Sequence, residues 1–260
     1  MKTKALGYLL LLAVTLSYAA DNSIYIDQSG SNSTIDITQT GTGNVVRGIQ
    51  GVGTGNTTPA KMAGDAAAVD IRQIGQDNTL NLGYTVTTAT GMGYGIDLTY
   101  YVTGNNGTAT FNINNAGTGT AASNLIDVRQ TGNSAGIQLT LTGSKNSFIA
   151  TTTGGASNTI TATVGADETN TNIAVSGGGS NGITLSLTSN KGAVDIDIVG
   201  ASNTLSLTQS GTAGATGHQF TYNVNGSSNS MTATQSGTVD NIINVQSVGS
   251  GNTWNITQGQ

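Results

Sequence analysis

The sequence has no cysteine, a single proline, one histidine and one glutamate, and only 8% of its 260 residues are charged. Without cysteine there are no disulfides and no thiolate metal sites, a composition that fits a secreted bacterial protein. Charged residues usually make up roughly 25% of a globular domain. Here Ser, Thr, Asn, Gln and Gly must cover the surface instead. The net charge of −5 argues against binding nucleic acid, which needs a basic stripe to displace counterions. With Glu168 the only glutamate and no two Asp paired by spacing, a two-carboxylate catalytic site is not supported. No catalytic residue, metal ligand or cofactor is therefore assigned, and the chain is read as a non-enzyme. His218 is read as an exposed loop residue. Gly91-Met92-Gly93-Tyr94-Gly95 lacks a following Lys and a helical pattern, so it is no phosphate loop. Hydrophobic residues are 36% of the chain, which implies a thin core. A thin core suits a narrow coil better than a globule.

What the chain does have is a repeat. In Ile35-Asp36-Ile37-Thr38-Gln39-Thr40-Gly41-Thr42-Gly43-Asn44, apolar and polar residues alternate, and Gln39 and Gly41 keep the apolar parity. Period-two alternation marks a half-buried strand, and Gly with Asn marks a turn. The unit begins at Ile24 and again eleven residues later at Ile35. Close copies run from Val69 to Gly75, Ile126 to Gly132, Leu205 to Gly211, Met231 to Gly237 and Trp254 to Gly259. Copies without Gln start at Ile96, Phe111, Ile137, Phe148, Ile160, Ile173, Ile183, Val194, Phe220 and Ile243. Self-similarity at a short period predicts a solenoid. Two units make a rung of strand, corner, strand, corner. The expected fold is all-β: a two-strand-per-rung parallel β-solenoid of eight or nine rungs, with rungs about 4.8 Å apart. Stacking would set Gln over Gln, each amide answering the one in the next layer.

Residues 1–19 have the form of a secretory signal peptide. Lys2 and Lys4 precede the apolar run Ala5 to Leu16, and Ser17-Tyr18-Ala19 offers small residues for cleavage between Ala19 and Ala20. The apolar run is short for a membrane span, which needs roughly 20 residues, so no stable span is expected after processing. Residues 20–260 are read as one solenoid array. Val45 to Ala68, which contains Pro59, is read as a loop inserted between strands. Gly83 to Gly95, Ala116 to Ser123, Ala166 to Asn172 and Thr212 to His218 are read as similar insertions.

Ile24 to Asn32 and Ile35 to Asn44 resemble the curlin repeat: alternating strand residues, then Gln-x-Gly-x-x-Asn, with a second Gln-bearing strand. Val69 to Asn78, Met231 to Asn241 and Ile243 to Asn252 resemble it in part. The resemblance implies a secreted subunit that assembles with copies of itself into extracellular amyloid fibres of curli type, for adhesion and biofilm. It places the stacking role on Gln28, Gln39, Gln73, Gln130, Gln209, Gln235 and Gln258, and the corner role on Asn32, Asn44, Asn78 and Asn241. It implies secretion-channel and nucleator proteins as partners. The middle third, Ile96 to Ile198, departs by mostly replacing Gln with Thr, Ser or Gly.

Two other readings stand beside this one: a phage virion structural or receptor-binding appendage, and an adhesin for surface glycans with Tyr84, Tyr94 and Phe220 stacking on sugar. Asp27, Asp36, Asp70, Asp97, Asp127, Asp195 and Asp197 fall on outward positions and are read as solvated charges that keep faces apart. Asp70 with Arg72, and Asp127 with Arg129, are read as surface ion pairs. Thr140 with Thr142 and Thr161 with Thr163 make outward pairs, but Gln138, Asp195 and Asp197 are expected to prevent a long threonine column.

Overall fold

The computed structural model describes residues 22–30, 32–48, 58–64, 66–86, 95–115, 124–143, 145–154, 157–177, 179–200, 202–211, 217–226, 228–238, 240–249 and 251–259. The signal segment, 1–19, lies outside them, as do 49–57, 87–94, 116–123 and 212–216.

All regular structure in the described residues is β. In chain order the strands are β1 (Asn22–Tyr25), β2 (Asp27–Ser29), β3 (Ser33–Gly41), β4 (Asn44–Arg47), β5 (Ala60–Gly64) and β6 (Ala67–Gly75). Next come β7 (Thr79–Val86), β8 (Ile96–Asn114), β9 (Asn124–Thr142), β10 (Asn146–Thr153), β11 (Ser157–Ser176) and β12 (Ser180–Val199). The last five are β13 (Asn203–Ser210), β14 (Gln219–Asn225), β15 (Met231–Ser236), β16 (Ile242–Val248) and β17 (Trp254–Gln258). β8, β9, β11 and β12 each run on through a corner, so one half of each belongs to one side of the coil and the other half to the opposite side.

Every pairing is parallel, and the pairings sort the strands into two stacks. The first stack holds β1–β2, β4–β5, β7, the second halves of β8 and β9, the first halves of β11 and β12, then β13, β15 and β17: ten layers. The second holds β3, β6, the first halves of β8 and β9, β10, the second halves of β11 and β12, then β14 and β16: nine layers. The parallel two-strand solenoid is thus the observed fold, at nine and a half turns. The tightest turns advance 22 residues, with Asn22 opposite Asn44 and Asn124 opposite Asn146. Longer turns contain the excursions.

The excursions differ from the expected loops in three places. Val45 to Ala68 is not a loop between strands. It contains most of β4 and all of β5, two parts of one layer, and Gly48 N–H donates to the Thr58 carbonyl at 2.8 Å between them. β7 continues through Gly83 to Val86, because Leu80, Leu82 and Tyr84 keep the inward parity to the end of that layer. Ala166 to Asn172 lies within β11 and passes from one stack to the other without leaving the ladder.

Alternation decides what is buried. Ile71, Leu98, Ile126, Ile196 and Leu207 line the interior with at most 1% exposure. Six large aromatics are fully buried: Tyr84, Tyr100, Tyr222, Phe111, Phe148 and Phe220. Tyr100 and Phe111 meet edge to face across the interior at 5.8 Å, a favoured geometry for aromatic pairs. The corners are tight. Gly75 has φ +152°, and a Cβ there would stand 1.4 Å from the Gly41 carbonyl oxygen of the layer below.

Gly75→Ala is therefore expected to destabilise the fold by at least about 2 kcal/mol. Gly182→Ala, with nothing within 4 Å of the new methyl, should stay within about 0.5 kcal/mol. Urea unfolding of the two variants checks the contrast.

Candidate functional site: amide rows and open edges

The glutamines end their strands just before a corner, and their amides act in two directions. Across the corner, Gln39, Gln73 and Gln130 each donate to the carbonyl six residues on, at Val45 (3.2 Å), Thr79 (3.4 Å) and Gly136 (3.3 Å). Gln235 reaches seven residues on, donating to the Ile242 carbonyl at 3.2 Å. This clip from strand to strand was not anticipated from the sequence, although the fixed Gln-to-corner spacing contains it. Between layers, Gln73 Nε2 donates to Gln39 Oε1 at 2.7 Å and Gln209 Nε2 to Gln235 Oε1 at 3.4 Å.

The other three glutamines are placed differently. Gln28 is exposed, stands in register with Met62, and donates to Ser33 Oγ at 3.3 Å. Gln130 lies between Val102 and Thr152, so no amide answers it from either layer. Gln258 is exposed in register with Gln235. One more group joins the row: the Tyr100 hydroxyl donates to Gln73 Oε1 at 2.5 Å. Complete burial pushes that phenol well above its ordinary pKa, so it remains a donor at any working pH.

Asparagines form the corner rows. Asn78 Nδ2 donates to Asn44 Oδ1 at 2.8 Å, Asn158 to Asn181 at 3.0 Å, and Asn229 to Asn203 at 2.7 Å. At the opposite corner Asn124 donates to Asn146 at 2.7 Å. Asn181 and Asn203 are neighbours whose Nδ2 groups both lack an acceptor among the described residues. Turning over the amides of Asn203 and Asn229 would join Asn158, Asn181, Asn203 and Asn229 into one row of uniform polarity. Asn241 donates to the Gly259 carbonyl at 2.7 Å. Asn32, with φ +56°, is exposed and opposite Ala66, outside any amide row. Its contribution is backbone shape, since Asn tolerates the left-handed region.

His218 is not an exposed loop residue. It precedes β14 at the corner, is 1% exposed, and has no hydrogen-bond partner on either ring nitrogen among the described residues. Tyr84 and Phe220, expected beside sugar-binding loops, are 1% exposed in the core and cannot stack on a ligand. Tyr94 lies outside the described residues.

The two outer faces differ. On the second stack, Asp36, Asp70 and Asp127 share one row, interrupted by Thr99. Arg72, Tyr101 and Arg129 share the next, both guanidinium groups lying over the ring at 5.7 and 5.3 Å. Arg129 also grips Asp127 through two hydrogen bonds, 2.9 and 3.1 Å. The Asp70–Arg72 pair expected from spacing does not form; Arg72 packs on Tyr101 instead. Asp195 and Asp197 lie on this face too, opposite Thr221 and Asn223. The first stack is different. From the β7 layer onward, its outward positions carry no charge. Thr140, Thr163, Ser186, Thr208, Thr234 and Thr257 line up in six successive layers. A long hydroxyl column therefore exists, contrary to expectation, because Asp195 and Asp197 belong to the other stack.

At each end of the coil, backbone edges are open. Among the described strands, β1–β2 and β3 pair on one side only, and so do β16 and β17. Core-parity residues are partly bare there: Ile35 and Ile37 at one end, and Ile256, 43% exposed, at the other. No described helix crosses a membrane, and no cluster of three metal-ligating side chains occurs among the described residues.

The described residues thus form a parallel two-strand coil with amide rows along its interior and strand edges open at each end. The family described as the curlin associated repeat matches residues 18–41, which include β1, β2 and β3. The chain thus carries a curlin repeat, and it forms the first turn of the coil. No curated protein and no solved structure matches the chain.

Tyr100→Phe leaves Gln73 Oε1 without this donor in a buried row, and is expected to cost about 1–3 kcal/mol. Adding Gln73→Leu should recover part of that loss; thermal unfolding of both variants measures it. Asp195 gives a pH effect. Burial first, and then the charge of Asp197, raise its carboxyl above the ordinary value. A raised carboxyl binds its proton more tightly in the folded state, so stability falls as pH climbs from about 3.9 through the folded value. Asp195→Asn should flatten that fall and raise the midpoint of thermal unfolding at pH 7.

Proposed function

We propose that this chain is an exported structural subunit that polymerises end to end into extracellular fibres of curli type, serving adhesion and biofilm. The observation that carries the reading is the pair of open ends. Unpaired strand edges template the addition of another chain. Here they sit on a stack whose interior rows another layer would simply continue. The curlin repeat at residues 18–41 supports the same reading, since it includes the three strands that make up one of those ends. The curlin-repeat family is structural and non-enzymatic, and in this reading the chain has no catalytic role. Its main partner is a second copy of itself; a secretion channel and a nucleator would act on the way to the surface. The export signal is assigned to residues 1–19, and the coil to 20–260.

Purified mature chain should form fibres visible by negative stain that raise thioflavin fluorescence. Ile256→Lys puts a charge at an already half-bare core position in the terminal layer. It should leave the monomer folded, with its unfolding midpoint within a few degrees of the unchanged protein, while fibre formation drops at least tenfold. Wild-type chain that stays monomeric for days at fibre-forming concentrations would refute the proposal.

A further inference from the structure

The described strands fill ten layers of one stack and nine of the other. An odd total constrains how a second copy can join. The coil passes from β16 through a corner to β17. Among the described strands, the next open layer therefore lies on β16, in the second stack. The first strands that another copy offers are β1–β2, which belong to the first stack.

Without rotation, β1–β2 of the incoming copy sits on β17. Its β3 then stands two strand spacings above β16, about 9.6 Å, so a layer is missing and two backbone edges stay open. A half-turn about the long axis exchanges the two stacks of the incoming copy. The chain reverses direction at every corner, so strands of the two stacks run oppositely and the half-turn keeps each joint parallel. β1–β2 now fills the vacant layer on β16, and β3 lands on β17. All four open edges close. Interior positions then meet as Ile24 over Ile243, Ile26 over Val245, Gln28 over Ser247, Ile35 over Trp254, Ile37 over Ile256 and Gln39 over Gln258.

We infer that successive copies in the fibre are related by a half-turn about its axis, which rests on the end-to-end reading above. The outer faces give the arrangement a physical consequence. Unrotated copies would align their uncharged hydroxyl faces into a strip on one side of the fibre, interrupted only by the β1–β2 and β4–β5 layers with Asp27, Arg47 and Lys61. Flat, neutral strand surfaces are those that zip laterally. The half-turn interrupts the strip at every joint with the Asp- and Arg-bearing face of the next copy. Each side of the fibre then alternates charged and neutral segments.

The chain has no cysteine, so thiols can be placed at will. Under the half-turn, Asp27 of one copy stands beside Gln246 of the next; without rotation it stands beside Thr257. All three positions are exposed. Adjacent parallel positions, about 4.8 Å apart, lie within disulfide reach. Within one copy Asp27 is at the opposite end of the coil from the other two, so any bond between them joins two copies. Fibres grown under reducing conditions from Asp27→Cys with Gln246→Cys, then oxidised and denatured, should run as a covalent ladder. Fibres of Asp27→Cys with Thr257→Cys should run as monomer. The reverse result, or fibres that ladder with neither pair, overturns the half-turn and leaves the fibre reading standing. Failure of the unsubstituted chain to form fibres sinks both. Electron microscopy of unsubstituted fibres supplies a readout free of mutations: a subunit rise of about 46 Å, nine and a half strand spacings, with a half-turn per subunit. A repeat of whole layers without rotation overturns the inference.

Discussion

The whole structure depends on one constraint: each layer must be chemically acceptable to the layer above and below it at a single strand spacing. Backbone groups meet that condition anywhere in a parallel ladder. Side chains meet it only if each row is uniform, or if its polar members find partners. Buried amides are the demanding case, because an unanswered one in a dry interior costs about 1–3 kcal/mol. Gln73 shows how the demand is met. Its nitrogen donates to Gln39 and to the carbonyl of Thr79, and its oxygen accepts the Tyr100 hydroxyl. Four strands, β3, β6, β7 and β8, are tied together by one side chain. Where the layer above has no amide, a tyrosine supplies the missing donor.

The alternation of inside and outside was legible in the sequence because its period matches the pleat. The same rule located nearly every layer. It passed over the layer made by β4 and β5, because each half is too short to reveal alternation and a dozen residues separate them. It passed over β7, because Tyr84 takes the place of Gln and Gly83 reads as the start of a loop. Parity also says nothing about which of two stacks a residue belongs to. That is why Asp195 and Asp197 were placed in the same column as Thr161 and Thr163, although the pairings put them on opposite faces. His218 could not be placed at all from its neighbours in sequence, since its burial comes from the layers on either side.

The glutamine row of the first stack begins and ends with glutamine and is apolar in the middle, while that of the second begins with glutamine, keeps Gln130 and ends with serine. In the first stack, Gln28 gives way to Met62, Tyr84, Ile113, Leu141, Val164 and Leu187 before Gln209, Gln235 and Gln258. In the second, Gln39 and Gln73 are followed by Val102, Gln130, Thr152, Val175, Ile198, Val224 and Ser247. The loss of Gln from the middle third follows from where the residues sit. A layer permanently enclosed by its own chain needs only to fill space, and an aliphatic side chain does so without any partner.

Layers near an end are different, because the proposed neighbour arrives from outside and must settle in one register. An aliphatic row tolerates a slip by two residues, since Ile would meet Ile again. A row carrying one amide does not, because the slip buries that amide against carbon. In the proposed fibre, Gln39 meeting Gln258 would therefore set register at the joint, much as one buried polar residue fixes the alignment of a coiled coil. The interior of the coil supplies stability through its apolar rows, and in the proposed fibre the ends would supply selectivity through their amides. That division explains why the curlin pattern is cleanest where the match at residues 18–41 falls and fades between Ile96 and Ile198.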